Sequence, residues 1–275
     1  MTELKLNNDE LEFITTIKKG SIKDILIKTN DVNRIRFIKA ENPELTSIPN
    51  SIFNLDFLKY FSINAEKLNK LPNSLENLKY LEDFVISKSL ISELPKDFGE
   101  LNNLKQLVIV NSNLNEFPLQ ICKLKSLSTL SLNKNNIKTI PNCIYFLTNL
   151  NNFSLKFNKI EKLSDSFCSI KNLKQLSLDN NKIESLPISF GNLENLEYIT
   201  LENNKIDTLP DSFSNLKRLA YLKLNNNNFT LVPEILKEID LGYLEIKSNQ
   251  IQEYPKMLGE LELVEEGIYE KIYED

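Results

Sequence analysis

Proline returns at Pro49, Pro72, Pro95, Pro118 and Pro141, and every step is 23 residues. The column runs on through Ser164, Pro187, Pro210 and Pro233, then closes with a 22-residue step to Pro255. A period held over so much chain constrains the fold more than any bulk property. One small unit is stacked on copies of itself, and each copy covers apolar surface that its neighbour cannot bury alone. Such a chain grows by addition rather than around one closed core. Its 275 residues therefore do not convert into a domain count. The long repeated surface is the first place to look for function.

The columns between the prolines are as regular as the prolines. The unit ending at Pro141 contributes Leu127, Leu130, Leu132, Asn135, Ile137 and Ile140. The unit ending at Pro187 contributes Leu173, Leu176, Leu178, Asn181, Ile183 and Leu186. Leu130 and Leu132 are two apart, so they point to one side of a strand, with Ser131 and Asn133 on the other. After each proline the apolar spacing widens, as in Phe98 and Leu101 or Phe213 and Leu216. Proline fixes φ and lacks an N–H, so it opens a segment too short for a long helix. Short 3₁₀ turns or brief helices are expected there. The 22-residue step is expected to lose its residue near Ile239 to Leu241, leaving the strand around Leu244 and Ile246 in register.

Asn135, Asn158, Asn181, Asn204, Asn227 and Asn249 form a column of their own. An amide placed where the chain turns in from the strand can pair with orphaned backbone groups of neighbouring turns. The column is therefore read as a structural ladder. Its earlier members are Pro43, Glu66, Ser89 and Ser112, so the N-terminal half is expected to be less regular. Glu66 needs solvent or a partner.

The spacing L-x-x-L-x-L-x-x-N-x-I-x-x-L-P resembles the leucine-rich repeat family in its 23-residue, LP-containing form. The resemblance covers roughly residues 35–261, about ten repeats. It implies an α/β fold: a curved solenoid with a parallel β-sheet on the concave face and short 3₁₀ or helical segments on the convex face. Residues 1–34 depart from the pattern. Segments 8–18 and 21–28 have apolar spacings that suit short helices, and are read as an N-terminal helical cap. Residues 262–275 are acidic and carry Ile268, Tyr269, Ile272 and Tyr273. They are read as a C-terminal cap or a tail.

On the sheet side facing away from the leucines, two features rise above a polar surface. Tyr198, Tyr221 and Tyr243 form a three-step ladder beside Thr200, Glu202 and Lys223. Tyrosine offers large contact area with a polar tip, which suits recognition, although stacked strands also pack such rings against each other. Val85, Val108 and Val110 mark a second, apolar stretch, readable as a contact site or as strand formers without a partner. All these columns are expected to face solvent.

Several chemistries are excluded or unsupported. The chain has no histidine, which removes imidazole-dependent triads and metal sites. It has no phosphate-binding glycine loop and no C-x-x-C pair. Cys122, Cys143 and Cys168 are read as small apolar filler. No catalytic residue, metal or cofactor is assigned, and the protein is not read as an enzyme. A formal charge of −5 does not favour nucleic acid, and no apolar segment is long enough for membrane insertion. The N-terminus shows no standard secretory signal, so a cytoplasmic location is expected, with non-standard export left open. The resemblance implies a protein-binding scaffold that recognises a partner protein through its concave face, as a monomer rather than a homo-oligomer. An exported or surface module for host ligands or glycans, and a self-associating structural repeat protein, are the alternatives.

Overall fold

The computed structural model describes residues 7–18, 24–30, 34–73 and 75–271. The chain divides into two compact units, Met1–Asn136 and Ile137–Asp275.

The N-terminal unit opens with helix α1 (Asn8–Ile17). A capping box starts it: Glu10 N donates to Asn7 Oδ1 at 2.8 Å, and Asn7 N donates to the Glu10 carboxylate at 3.0 Å. Phe13, Ile14 and Ile17 are buried on its inner face, and Phe13 meets Phe61 edge-on at 6.4 Å. The second expected helix is not one. Residues 24–29 form strand β1 (Asp24–Thr29), antiparallel to β2 (Ile35–Glu41). D-I-L-I-K is a short apolar run between charges, Ile25 and Ile27 are β-branched, and pairing with β2 favours extension over helix. Residues 21–23 of that segment lie outside the described ones.

From β2 the strands run parallel: β3 (Tyr60–Asn64), β4 (Asp83–Ser87), β5 (Gln106–Val110) and β6 (Thr129–Ser131). Each register step is one repeat, so Phe37, Tyr60, Asp83, Gln106 and Thr129 are side by side. Ile38, Phe61, Phe84, Leu107 and Leu130 turn inward and are buried.

The C-terminal unit repeats this with β7 (Asn152–Ser154), β8 (Gln175–Ser177), β9 (Tyr198–Thr200), β10 (Tyr221–Lys223) and β11 (Tyr243–Glu245). The chain then doubles back through β12 (Met257–Leu258), β13 (Leu261–Glu265) and β14 (Ile268–Glu270). β14 pairs antiparallel with β11, so the last repeat strand is covered. Tyr269 is fully buried, and its hydroxyl donates to Pro255 O at 3.0 Å. Ile272 and Tyr273 lie outside the described residues.

On the side opposite the strands, the chain makes 3₁₀ segments, among them Lys96–Glu100, Leu119–Lys123, Asp165–Ser169 and Asp211–Asn215. Each follows the proline column, and Ser164 stands in with φ −86°. No α-helix occurs there among the described residues. Gly191 is forced by close approach, since a Cβ there would sit 1.7 Å from Ser212 O. Cys168 is a buried free thiol whose pKa burial raises, as the filler reading expects. Cys122 and Cys143 carry no free thiol, so that reading fails for them.

The asparagine column forms the ladder. Asn181 Nδ2 donates to Leu155 O and Leu178 O, both at 2.9 Å, while its Oδ1 accepts from Ile160 N at 3.0 Å. Asn204 repeats this one step on, with Leu178 O, Leu201 O and Ile183 N. The Leu178 carbonyl thus receives two amides, one from its own repeat and one from the next. Asn227 and Asn249 continue the pattern. Asn135 does the same within the N-terminal unit, donating to Ile109 O and Leu132 O and accepting from Leu114 N. Serine supplies less: Ser89 and Ser112 share a hydroxyl contact at 2.8 Å, and their backbone bonds are long, Ile91 N to Ser89 Oγ at 3.3 Å and Ser112 Oγ to Val110 O at 3.4 Å. Glu66 is exposed, so solvent satisfies it.

The residue before each ladder position from Ser89 to Asn249 is left-handed. Lys88, Asn111, Lys134, Phe157, Asn180, Asn203, Asn226 and Ser248 have φ between 51° and 58°. Asparagine tolerates this region, whereas a bulky residue such as Phe157 is strained there.

Candidate functional site

Parallel register places Tyr198, Tyr221 and Tyr243 on adjacent strands of the C-terminal unit, where strand spacing alone sets them about 4.8 Å apart. The rings follow the backbone. Tyr221 and Tyr243 stack at 4.8 Å and 9°, and Tyr198 and Tyr221 lie at 5.8 Å and 39°. Tyr198 is the most open of the three, at 46% exposure.

Polar neighbours lock the stack. Lys223 Nζ lies 5.5 Å from the Tyr221 ring centre and pairs with Glu245 Oε1 at 3.0 Å. Tyr243 OH donates to the same carboxylate oxygen. Asn225 Nδ2 bridges Glu245 Oε2 and Glu202 Oε1, the latter at 2.7 Å, and its Oδ1 accepts from Lys247 N at 3.0 Å. Burial pushes the Glu245 carboxyl up, but hydrogen bonds from Tyr243, Lys223 and Asn225 outweigh it and hold its pKa below the usual range. Burial, followed by the bond to Glu245, raises the Tyr243 hydroxyl. Polar contact with Tyr221, then with Glu245, raises Lys223. The lysine and the carboxylate are thus both charged across the neutral pH range.

The network continues toward β8. Asp179 accepts from Thr200 Oγ1 at 2.8 Å and from Glu202 N at 2.9 Å, and pairs with Lys156 Nζ at 2.7 Å. Asp179, Asn225 and Glu245 are buried, which corrects the expectation that every outer column faces solvent. Their neighbours' long side chains cover them. The structure therefore brings Tyr198, Tyr221, Tyr243, Thr200, Glu202 and Lys223 together. It also assigns the linking roles to Asp179 and Asn225, which sequence reasoning did not single out. Their signal was present, because the column Lys156, Asp179, Glu202, Asn225, Lys247 sets two acids between donors.

The N-terminal unit carries different chemistry on the same face. Val85 and Val108 are register partners, Val110 lies at the end of β5, and all three are half-buried. Phe37 and Tyr60 stack at 4.2 Å and 7°, with Lys28 Nζ 5.2 Å from the Phe37 ring centre. On the rim, Phe57 and Tyr80 lie parallel at 6.1 Å, with the Arg34 guanidinium 5.5 Å from Phe57. Glu82 binds Lys105 at 2.8 Å and Lys59 at 2.5 Å, which lowers its pKa to about 2. Burial and the Glu82 charge raise that of Asp83.

A second ladder runs along the rim that holds Phe57 and Tyr80. Asn103 Nδ2 donates to Lys79 O and Ser126 Oγ to Asn102 O in the N-terminal unit. Asn172 donates to Thr148 O and Asn195 to Lys171 O in the C-terminal unit. The sequence signal was a second column of asparagine and serine at the same period. On the turn side, an open cleft of about 600 Å³ is lined by Leu94, Phe117, Pro118 and Leu119 with Glu93 and Glu116, away from the sheet face. Among the described residues, no group of three acidic or cysteine side chains is placed to hold a metal ion. No described helix is long and apolar enough to cross a membrane.

A family model described as leucine rich repeat matches residues 125–183 and 171–229. The fold is similar to that of a leucine-rich repeat protein of Leptospira interrogans, with 31% identity and a TM-score of 0.72. That match covers 76% of this chain and 54% of the other, so the chain spans about half the length of that relative. An internalin of Listeria monocytogenes matches at 21% identity and TM-score 0.61, covering 90% of this chain and 77% of the internalin. The leucine-rich repeat ectodomain of a plant membrane receptor kinase from Arabidopsis thaliana, solved in complex with Casparian strip integrity factor 2, matches at 21% identity and TM-score 0.65. Coverage there is 93% of this chain and 34% of the receptor chain. Curated proteins give no match.

Proposed function

Because this chain is a leucine-rich repeat protein, we propose that it is a scaffold that recognises a partner protein through the outer sheet face of its C-terminal unit. The fold is a known scaffold for protein interaction, and its members are generally not enzymes. One observation carries the finer reading: the Tyr198–Tyr221–Tyr243 stack is fixed before any partner arrives. Tyr243 OH bonds Glu245, which Lys223 and Asn225 hold in turn, and Lys223 lies over the Tyr221 ring, so binding need not order those side chains first. What it offers outward is ring surface and the exposed Tyr198. Rigid tyrosine clusters of this kind dominate the energy of many interfaces. Thr200 and Glu202 border the stack as polar rim.

The test is affinity capture with the intact chain, followed by titration of the captured partner. Tyr198→Ser, Tyr221→Ser and Tyr243→Ser together are expected to weaken binding by about 100-fold or more. Melting and circular dichroism check that the variant folds. Undiminished binding by the folded triple variant, with loss in a Val85→Thr, Val108→Thr, Val110→Thr variant, would move recognition to the N-terminal unit and refute this assignment.

A further inference from the structure

Strand β1 stands at one end of the strand order, and among the described residues β2 is its sole strand partner. None of its six residues is buried: exposed and half-buried positions alternate along it. Asp24, Leu26 and Lys28 share the outer sheet face, opposite Glu41, Lys39 and Phe37 of β2, while Ile25 and Ile27 face the other way. Leu26 is 46% exposed. An edge strand leaves a row of backbone N–H and C=O groups ready for another strand, and proteins usually blunt such edges. The terminal strands of the C-terminal unit are blunted. β12 has two residues, β13 pairs with β14 through an irregular register, and Glu262 and Glu265 put like charges along it. β1 has a central run of Ile25, Leu26 and Ile27 instead.

The residues of β1 say what fits there. D-I-L-I-K has matching isoleucines on either side of Leu26 and opposite charges at its two ends. Antiparallel strands set residues of the same face opposite each other. Two copies related by a two-fold axis at Leu26 would place Leu26 against Leu26, Ile25 against Ile27, and Asp24 against Lys28, the last two pairs each occurring twice. Moving the register by two residues sets Asp24 or Lys28 against Leu26 and loses the charge match. Parallel pairing in register sets Asp24 beside Asp24 and Lys28 beside Lys28, which repels.

We propose that β1 is a self-association edge, through which two copies of this chain join antiparallel about Leu26. This departs from the monomer expected from sequence. It also differs from self-association through the sheet face, and it does not depend on the tyrosine stack. The contact is one strand wide, so it belongs with small, reversible interfaces.

Analytical ultracentrifugation of the full chain over about 1–300 μM tests it, with a reversible monomer–dimer equilibrium expected in that range. Asp24→Lys sets lysine against Lys28 at both ends and should weaken the dimer at least about tenfold. The charge swap Asp24→Lys with Lys28→Asp restores both pairs and should recover wild-type association. Mixing the separate Asp24→Lys and Lys28→Asp chains should give a heterodimer. Circular dichroism confirms folding, and Asp24→Lys leaves the Lys28–Phe37 contact in place. A chain that stays monomeric throughout overturns the proposal. So does a dimer indifferent to Asp24→Lys, which would use another surface. A monomer whose β1 amides are protected only by an added extended peptide would make the occupant a partner segment rather than a second copy.

Discussion

The two units are built from one repeat but resolve their polar groups differently. In the C-terminal unit, asparagine fills every ladder position, and the outer face is a closed network from Lys156 through Asp179 and Asn225 to Glu245. In the N-terminal unit, serine stands at 89 and 112, the outer face carries stacked aromatics and valines, and the terminal strand has one strand partner among the described residues. Strand length follows the ladder residue. β3 to β5, with no asparagine after them in the column, run for five residues each, whereas β6 to β11, each followed by one, run for three. Backbone pairing does not stop where the short strands do, because Leu155 N still donates to Ser177 O and Phe157 N to Asp179 O, both at 2.9 Å. What changes is that asparagine amides hold the leucine carbonyls. The comparison shows that a repeat can spend its polar capacity on its own order or leave surface available to others.

The sharpest way to break this comparison is at Gly99 and Gly191, which occupy the same column, one in each unit. A Cβ at Gly191 meets Ser212 backbone at 1.7 Å, so Gly191→Ala should destabilise by at least about 3 kcal/mol. Gly99→Ala meets the Gln120 backbone O and the Lys123 side chain at 2.8 Å, and should cost about 1–2 kcal/mol, because the lysine can swing aside and the Gln120 carbonyl need shift far less than that of Ser212. Urea denaturation of both variants reads the difference.

Next comes the ladder. Asn204→Ala strands Ile183 N and removes a donor from Leu178 O and Leu201 O, so a loss of about 1–3 kcal/mol is expected. Ser112→Ala should cost about 1 kcal/mol or less, since it removes only the hydroxyl contact with Ser89 and a long bond to Val110 O at 3.4 Å, and strands no backbone N–H. Conversely, Ser89→Asn with Ser112→Asn should raise the stability of the N-terminal unit by about 1 kcal/mol if the ladder is what that unit lacks. An unchanged or lowered melting temperature would place the irregularity elsewhere.

The smallest effect separates the units by acid. The Glu82 pKa is lowered from its ordinary 4.5 to about 2, so its contribution is complete above about pH 4.5 and fades as pH falls toward 2. Glu82→Gln should flatten that part of the acid-unfolding curve. Glu245 is lowered too, so Glu245→Gln should act in the same direction, on stability present above its ordinary pKa and lost as pH falls through the folded value. Salt should erode the Glu82 effect more, because Lys105 is largely exposed whereas Glu245 and Lys223 are mostly covered.

Much of this was legible in the residues. The 23-residue proline and leucine columns placed the strands, the inward faces and the 3₁₀ side. Asn135 to Asn249 announced the ladder because an amide at a fixed turn has few alternatives. Residues 24–28 form strand instead of the expected helix because the spacing of Ile22, Ile25 and Leu26 suits a helix while the short apolar run Ile25–Ile27 suits a strand equally, and such a run cannot choose without its partner β2. The tyrosine column was readable from period alone. Burial of Asp179 and Asn225 was not, because it depends on which long neighbours fold over them, and columns give adjacency but not side-chain direction.

The double hold on carbonyls such as that of Leu178 has a consequence for how this protein comes apart. A coil in the C-terminal unit cannot peel away without releasing the amide of the next one, so separation is all-or-none across neighbours. Hydrogen–deuterium exchange should therefore show Ile160, Ile183 and Ile206 amides opening together at one slow rate, like teeth of a single latch, while the amides near Ser89 open earlier and on their own.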